Sequence, residues 1–142
     1  AHWKLNNPTP EQLRTALNEV ISLGLEVQFT EMDITVRTQQ PRTPGVTPAP
    51  VVDAGYTPEL EAQQVAQYKR MFDVIKEYKK HIKAVTFWNV SDKGSWLDSR
   101  GGGFAGGAAA TQATSRTIVK AYPLLFDVNG QRKKAYWAVV NN

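Results

Sequence analysis

Hydrophobic positions recur along this chain with two periods, and the switching between them lays out its elements. Leu13, Ala16, Leu17, Val20 and Ile21 follow the i, i+3, i+4 spacing of a helix with one buried stripe. Thr9-Pro10-Glu11-Gln12 opens that helix, with Thr9 as N-cap, Pro10 at the first helical position and Gln12 placed to complete a capping box. The pattern predicts a helix to about Leu23, stopped by Gly24 in a left-handed conformation. Leu25 to Ile34 follows at once as an apolar, β-rich run of strand length. Strict alternation puts Val27, Phe29, Glu31 and Asp33 on one face and Gln28, Thr30, Met32 and Ile34 on the other, so two acids end an apolar row.

The same succession then repeats. Thr57-Pro58 gives a second cap and proline signal, and Leu60, Val65, Tyr68, Met71, Phe72, Ile75 and Tyr78 form the buried stripe of a helix running to about Lys80. Lys79, Lys80 and His81 fall in its predicted last turn, where cations oppose the helix dipole, so His81 reads as a helix-end residue. Ile82 to Asn89 is the second strand. Trp3 to Pro8 reads as a loop, the stretch 38–56 as a long loop with prolines at 41, 44, 48 and 50, and Gly101 to Ala110 as a flexible glycine-rich surface loop. Toward the end, Tyr122 to Phe126 is a short apolar segment, Asp127 to Gly130 a turn, and Lys134 to Val140 a short helix. This order is α/β alternation around a parallel sheet, with the loops leaving one edge. Two strands cannot make a parallel sheet covered on both faces, so the pattern predicts part of a larger α/β architecture.

Composition narrows the functional classes. At 142 residues, 42% apolar and 21% charged, the chain has an ordinary globular make-up. A net charge of +4, with basic residues scattered in short clusters, gives no continuous nucleic-acid surface. There is no cysteine and there are two histidines, so neither a thiol metal site nor any other metal or cofactor site is expected. The glycines lack the spacing of a phosphate cradle. No apolar run reaches the roughly 18 residues of a membrane span, and Ala1-His2-Trp3 reads as cut from something longer.

The carboxylates Glu31 and Asp33 are the candidate chemistry. Acids at the carboxyl end of a buried strand are costly unless paired, and α/β proteins place active groups there. A strand running out into a solvated acidic loop is the plain alternative. The residues around them carry a resemblance. Gln28-Phe29-Thr30-Glu31-Met32-Asp33-Ile34 resembles the nucleophile strand of glycoside hydrolase family 10, the endo-β-1,4-xylanases. Phe87-Trp88-Asn89-Val90-Ser91-Asp92-Lys93-Gly94-Ser95-Trp96 resembles that family's last strand and the loop after it. Tyr122-Pro123-Leu124-Leu125-Phe126-Asp127 and Ala135-Tyr136-Trp137-Ala138-Val139 resemble its closing segment, and Ala1-His2-Trp3 the end of its sixth strand.

The resemblance implies that residues 1–142 are the C-terminal part of a family 10 catalytic domain: the portion of a TIM (β/α)₈ barrel holding strands 7 and 8 with flanking helices. It implies hydrolysis of xylan or xylo-oligosaccharide with retention of configuration, Glu31 as nucleophile, and His2 with Asp33 as the network that keeps Glu31 ionised. Trp88 and Trp96 match the aromatics that wall the sugar subsite, while Trp3 and Trp137 read as packing residues. The family's Asn-Glu pair, source of the acid/base, has no counterpart here, and neither do the first five strands. Between Trp96 and Tyr122 the family's Arg-containing pattern is missing, and Lys134 stands where proline is common. The N-terminal remainder of the barrel is thus the implied partner, and a secreted or cell-surface location follows from a polymeric substrate. Two other readings compete: a non-catalytic carbohydrate-binding module stacking sugars on Trp3, Trp88 and Trp96, and a scaffold fragment. Capped helices and the Glu31 and Asp33 pair do not suit the binding module, which is usually a small β-sandwich; the scaffold fragment stays open.

Overall fold

The computed structural model describes residues 1–37, 55–99 and 120–141. The two long-loop expectations, 38–56 and 101–110, lie almost wholly outside that range. Within it the order is β1 (His2–Lys4), α1 (Pro10–Ser22), β2 (Val27–Thr35), α2 (Pro58–Glu77), β3 (Ile82–Phe87), α3 (Trp96–Ser99) and α4 (Lys134–Val140). The three strands form a parallel sheet in chain order, each joined to the next through a helix.

Local chemistry sets the helices as the sequence predicts. The Thr9 side chain accepts from the Gln12 backbone at 3.3 Å, and the Gln12 side chain accepts from the Thr9 N–H at 2.9 Å, which closes the capping box of α1. Gly24 takes φ +75°, which a β-carbon would disfavour, and the chain turns into β2 there. Thr57 caps α2 through the Leu60 N–H. One end of α2 differs from expectation: the helix stops at Glu77, and Lys79, Lys80 and His81 form the turn after it, so only Lys76 lies in the last turn. The His81 carbonyl accepts from Val27 N–H, so this turn registers β3 on β2.

Two further expectations are corrected. Trp3 to Pro8 is not all loop: His2–Lys4 is a strand beside β2, making three strands where two were read. Three residues are too few to display a period of two, so the sequence pattern hides it. The alternation along β2 also breaks. Phe29 lies opposite Val85 and Met32 opposite Phe87, so one extra residue is accommodated on β2 around Thr30 and Glu31. This bulge rephases the strand. Val27 and Phe29 pack on the same core as Met32 and Ile34, instead of sharing a face with the acids.

That core lies on one face of the sheet. Leu13 and Leu17 of α1, Tyr68, Met71, Val74 and Ile75 of α2, Met32 and Ile34 of β2, Leu125 and Ala135 make one cluster, with Trp3, Phe72 and Phe87 against its edge. Two glutamines are buried in it. Gln64 donates to the Ile34 carbonyl at 2.7 Å and the Tyr122 carbonyl at 2.6 Å, and accepts from the Tyr56 hydroxyl at 2.7 Å. Gln67 donates to the Pro8 carbonyl at 2.8 Å and accepts from Arg70 at 2.6 Å. On the other face Gln28 and Thr30 stand exposed.

Candidate functional site

The carboxyl end of the sheet gathers the candidate groups. Strand register puts His2 directly opposite Asp33, and the Asp33 N–H donates to the Ala1 carbonyl at 3.0 Å, fixing the two backbones against each other. The bulge leaves Glu31 as well as Asp33 on the side away from the helices. His2 bridges the two acids: its Nδ1 lies 2.8 Å from Asp33 Oδ2 and its Nε2 3.1 Å from Glu31 Oε2. An ionised carboxylate only accepts, so wherever the ring hydrogen-bonds one of them it is a ring N–H that donates.

The two acids have opposite surroundings. Asp33 is 1% exposed, and a buried charge of this kind costs several kcal/mol unless donors surround it. His2 supplies one donor, and the Trp96 indole Nε1 supplies another at 3.0 Å on the same oxygen. The Trp96 ring also tilts over the imidazole, with centroids 4.6 Å apart. The side chain of Glu31 is 42% exposed and open to a ligand. One carboxylate is thus an anchor and the other is presented. The other glutamates stand apart: Glu77 and Glu11 pair with Arg14, Glu26 with Lys83 and Glu61 with Lys134, while Glu19 and Glu59 ride on α1 and α2. Among the described residues no group of three or more His, Cys, Asp or Glu forms a metal site.

Of the residues singled out in the sequence, His2, Glu31, Asp33 and Trp96 come together. Trp88 follows the end of β3, where its N–H donates to the Met32 carbonyl at 3.1 Å, and its ring is 45% exposed. It stands on the same rim as Glu31 and faces solvent. Trp3 packs edge-on against Phe29, as a packing residue should. Trp137 is less enclosed: it is 47% exposed, with the Tyr136 ring edge-on at 4.9 Å and Arg132 over its ring at 5.5 Å.

Beneath the rim lies a group of residues that no sequence signal assigns to the site. Asp92, in the turn between Trp88 and Trp96, is 2% exposed and holds the Lys133 ammonium at 2.9 Å. Its other oxygen accepts from the Leu124 N–H at 2.8 Å. Lys133 also donates to the Tyr122 carbonyl at 2.9 Å and sits over the Tyr56 ring at 4.4 Å. Burial pushes the Asp92 carboxyl up and the Lys133 ammonium down, and their mutual attraction opposes both shifts. Nothing in Arg132-Lys133-Lys134 marks the middle residue as the buried one, and neighbouring Lys134 points out to Glu61 at 2.6 Å.

The model for Glycosyl hydrolase family 10 matches residues 1–142. An endo-1,4-beta-xylanase of Geobacillus stearothermophilus is 33% identical over 141 residues, covering 99% of this chain and 36% of that protein. Endo-1,4-beta-xylanase A of Caldicellulosiruptor saccharolyticus is 34% identical over 142 residues, covering 99% of this chain and 35% of that protein. Among solved structures, an endo-1,4-beta-xylanase from Caldicellulosiruptor owensensis matches with TM-score 0.71 and 33% identity, over 100% of this chain and 37% of that one. A xylanase from Paenibacillus barcinonensis complexed with a conduramine derivative matches with TM-score 0.74 and 25% identity, over 99% and 36%. The chain spans about a third of the length of these two relatives. Three parallel strands with their helices on one face, the carboxylate row at their ends and a match over every residue lead to one assignment: this chain belongs to glycosyl hydrolase family 10 and folds as a C-terminal portion of its (β/α)₈ barrel.

Proposed function

We propose that this chain supplies the nucleophile side of the active site of an endo-1,4-β-xylanase, acting on xylan or xylo-oligosaccharides with retention of configuration. The observation that carries this reading is the row Glu31, His2, Asp33 and Trp96, in which one carboxylate is presented and the other is buried beneath it. Glu31 attacks the anomeric carbon and forms the glycosyl-enzyme bond as the leaving oxygen departs; water then cleaves that bond. His2, held by Asp33, hydrogen-bonds Glu31 and orients its carboxylate for attack. Trp88 and Trp96 wall the adjoining sugar subsite, where pyranose faces stack on indoles.

Retention needs a second carboxyl about 5 to 5.5 Å from the nucleophile as acid/base. Among the described residues Asp33 is the other acid on this row, and it is buried with its donors, so the acid/base comes from the N-terminal remainder of the barrel, the partner this reading requires. A polymeric substrate that cannot enter a cell places the whole enzyme outside it or on its surface. The test is made in a barrel that includes the N-terminal part. Glu31→Ala should abolish xylan hydrolysis, and a mechanism-based fluoroglycoside should label Glu31. Label on another residue, or wild-type rates in Glu31→Ala, would overturn the assignment.

A further inference from the structure

We propose that Asp92 and Lys133 are positioning residues: a buried ion pair that locks the Ser91–Trp96 turn against the closing segment and so sets the Trp96 indole on Asp33. The inference rests on the reading of Glu31, His2 and Asp33 given above, and on contacts that the reading does not use.

Asp92 is the root of the turn. Its N–H donates to the Phe126 carbonyl at 2.9 Å, its Oδ1 accepts from Leu124 N–H at 2.8 Å and its Oδ2 from Lys133 Nζ at 2.9 Å. From the same residue the turn closes toward Trp96: the Asp92 carbonyl accepts from Ser95 N–H at 3.4 Å, and the Ser95 carbonyl accepts from Asp98 N–H at 3.0 Å. The first residue of the helical turn that follows is Trp96, whose indole reaches Asp33 at 3.0 Å. On the far side the closing segment is itself tied to β2. The Ile34 N–H donates to the Pro123 carbonyl at 3.1 Å, and Gln64 donates to both the Ile34 and Tyr122 carbonyls. Asp33 and Trp96 are therefore referred to one frame by two routes, one along β2 and one through the ion pair.

The charges have a geometric reason to be there. A neutral pair could fill the same space, and buried ion pairs often add little net stability over apolar groups of similar volume. An ammonium can instead satisfy several acceptors at once: Lys133 Nζ serves Asp92 Oδ2 and the Tyr122 carbonyl with the Tyr56 ring beside it. That fixes the turn in three directions where an apolar contact would let it slide. A slide of about 1 Å at a reacting site is enough to cost about 10²-fold in rate.

The experiment compares Lys133→Met, Lys133→Arg and the double variant Asp92→Asn/Lys133→Met in a full barrel carrying this chain. Two readouts are taken: the indole N–H resonance of Trp96, assigned through Trp96→Phe, and the kinetics on xylo-oligosaccharide. Lys133→Met and the double variant should shift or broaden the Trp96 resonance and lower kcat about 10- to 100-fold more than they raise KM. Lys133→Arg, which keeps the charge, should recover most of both. The double variant leaves no lone buried charge, so it remains informative if Lys133→Met fails to fold. A folded variant without the pair, with an unmoved Trp96 resonance and wild-type kcat, would overturn the proposal. The resonance needs no turnover. Should the parent barrel itself be inactive on xylan, the proposed function fails while the positioning of Trp96 is still decided.

Discussion

Asp33→Asn isolates what the buried charge contributes while keeping the side chain's shape. The native carboxylate is 1% exposed and receives two donors on Oδ2, His2 Nδ1 at 2.8 Å and Trp96 Nε1 at 3.0 Å. Asparagine leaves an oxygen that can accept both, so the loss is the difference between charge-assisted and neutral bonds. Hydrogen bonds to charged groups contribute about 1.5 to 3 kcal/mol and neutral ones about 0.5 to 1.5, so each bond weakens by about 1 kcal/mol and the two by about 2. At about 1.4 kcal/mol per tenfold, that corresponds to roughly a 30-fold loss if it is felt in the transition state. It should fall on kcat, because Asp33 lies under His2 and Trp96 and touches no sugar, so KM should change little. Asp33→Ala should be worse, since it strands both donors at about 1 to 3 kcal/mol each. The assay is steady-state hydrolysis of xylo-oligosaccharide in a full barrel, with circular dichroism to confirm the fold. Wild-type kcat in Asp33→Asn, or a loss confined to KM, would refute the division into a presented and an anchoring carboxylate.

Other perturbations test the frame. Gln64→Leu strands the Ile34 carbonyl and the Tyr56 hydroxyl and leaves the Tyr122 carbonyl one donor fewer beside Lys133, and should lower stability by about 2 to 4 kcal/mol in a urea titration. Met71→Ala empties a site with 0% exposure between α2 and the sheet, and should cost about 2 to 5 kcal/mol by the same measurement. Glu77 has its carboxyl held below the usual range by the bidentate Arg14 guanidinium, so its contribution is present above the unfolded carboxylate range and lost as pH falls through the lowered folded value. Glu77→Gln should therefore lower the melting temperature slightly near neutrality and flatten the acid limb below about pH 5, so that the two profiles converge at low pH. The 142-residue chain by itself should show no xylanase activity in a reducing-sugar assay, because proton delivery to the leaving oxygen, worth about 10² to 10⁴ in rate, has no donor among the described residues beside Glu31.

What could be read in advance was whatever depends on neighbours in sequence. The capping box at Thr9 and Gln12, the Thr57 cap and the Gly24 stop each involve residues a few positions apart, and each is found where local chemistry puts it. Helices alternating with strands gave the parallel sheet for the same reason. The misses are relations between distant segments. The bulge at Thr30 and Glu31 is a mismatch between two strands, and β2 alone shows a regular alternation. Gln64 and Gln67 read as polar helix positions, and only the carbonyls of Ile34, Tyr122 and Pro8 make their burial favourable. Trp137 read as a packing residue, yet its ring meets Arg132 and the edge-on ring of Tyr136 and is 47% exposed.

The bulge also explains how one strand can serve core and site at once. A strictly alternating β2 would commit Glu31 and Asp33 to the face of Phe29, which is the face packed on α1 and α2. Two carboxylates there would meet apolar side chains with no donors, and each would cost several kcal/mol. The extra residue shifts the phase after Phe29, so Met32 and Ile34 fall into the core row, both with 0% exposure, and the acids emerge on the opposite side. Parallel pairing with β1 then brings His2 to Asp33 in register, and the turn after β3 brings the Trp96 indole to the same oxygen. The chemistry at the rim is therefore bought by an irregularity in the strand, and Asp33 tolerates burial because two separate segments deliver a donor to it. The mismatch makes a direct demand on any redesign of this strand. Pairing every residue of Val27–Ile34 regularly, with no extra residue, would turn either the core row or the carboxylates to the wrong face, whereas deleting Thr30 would leave Val27, Phe29, Met32 and Ile34 in one row and the acids on the other.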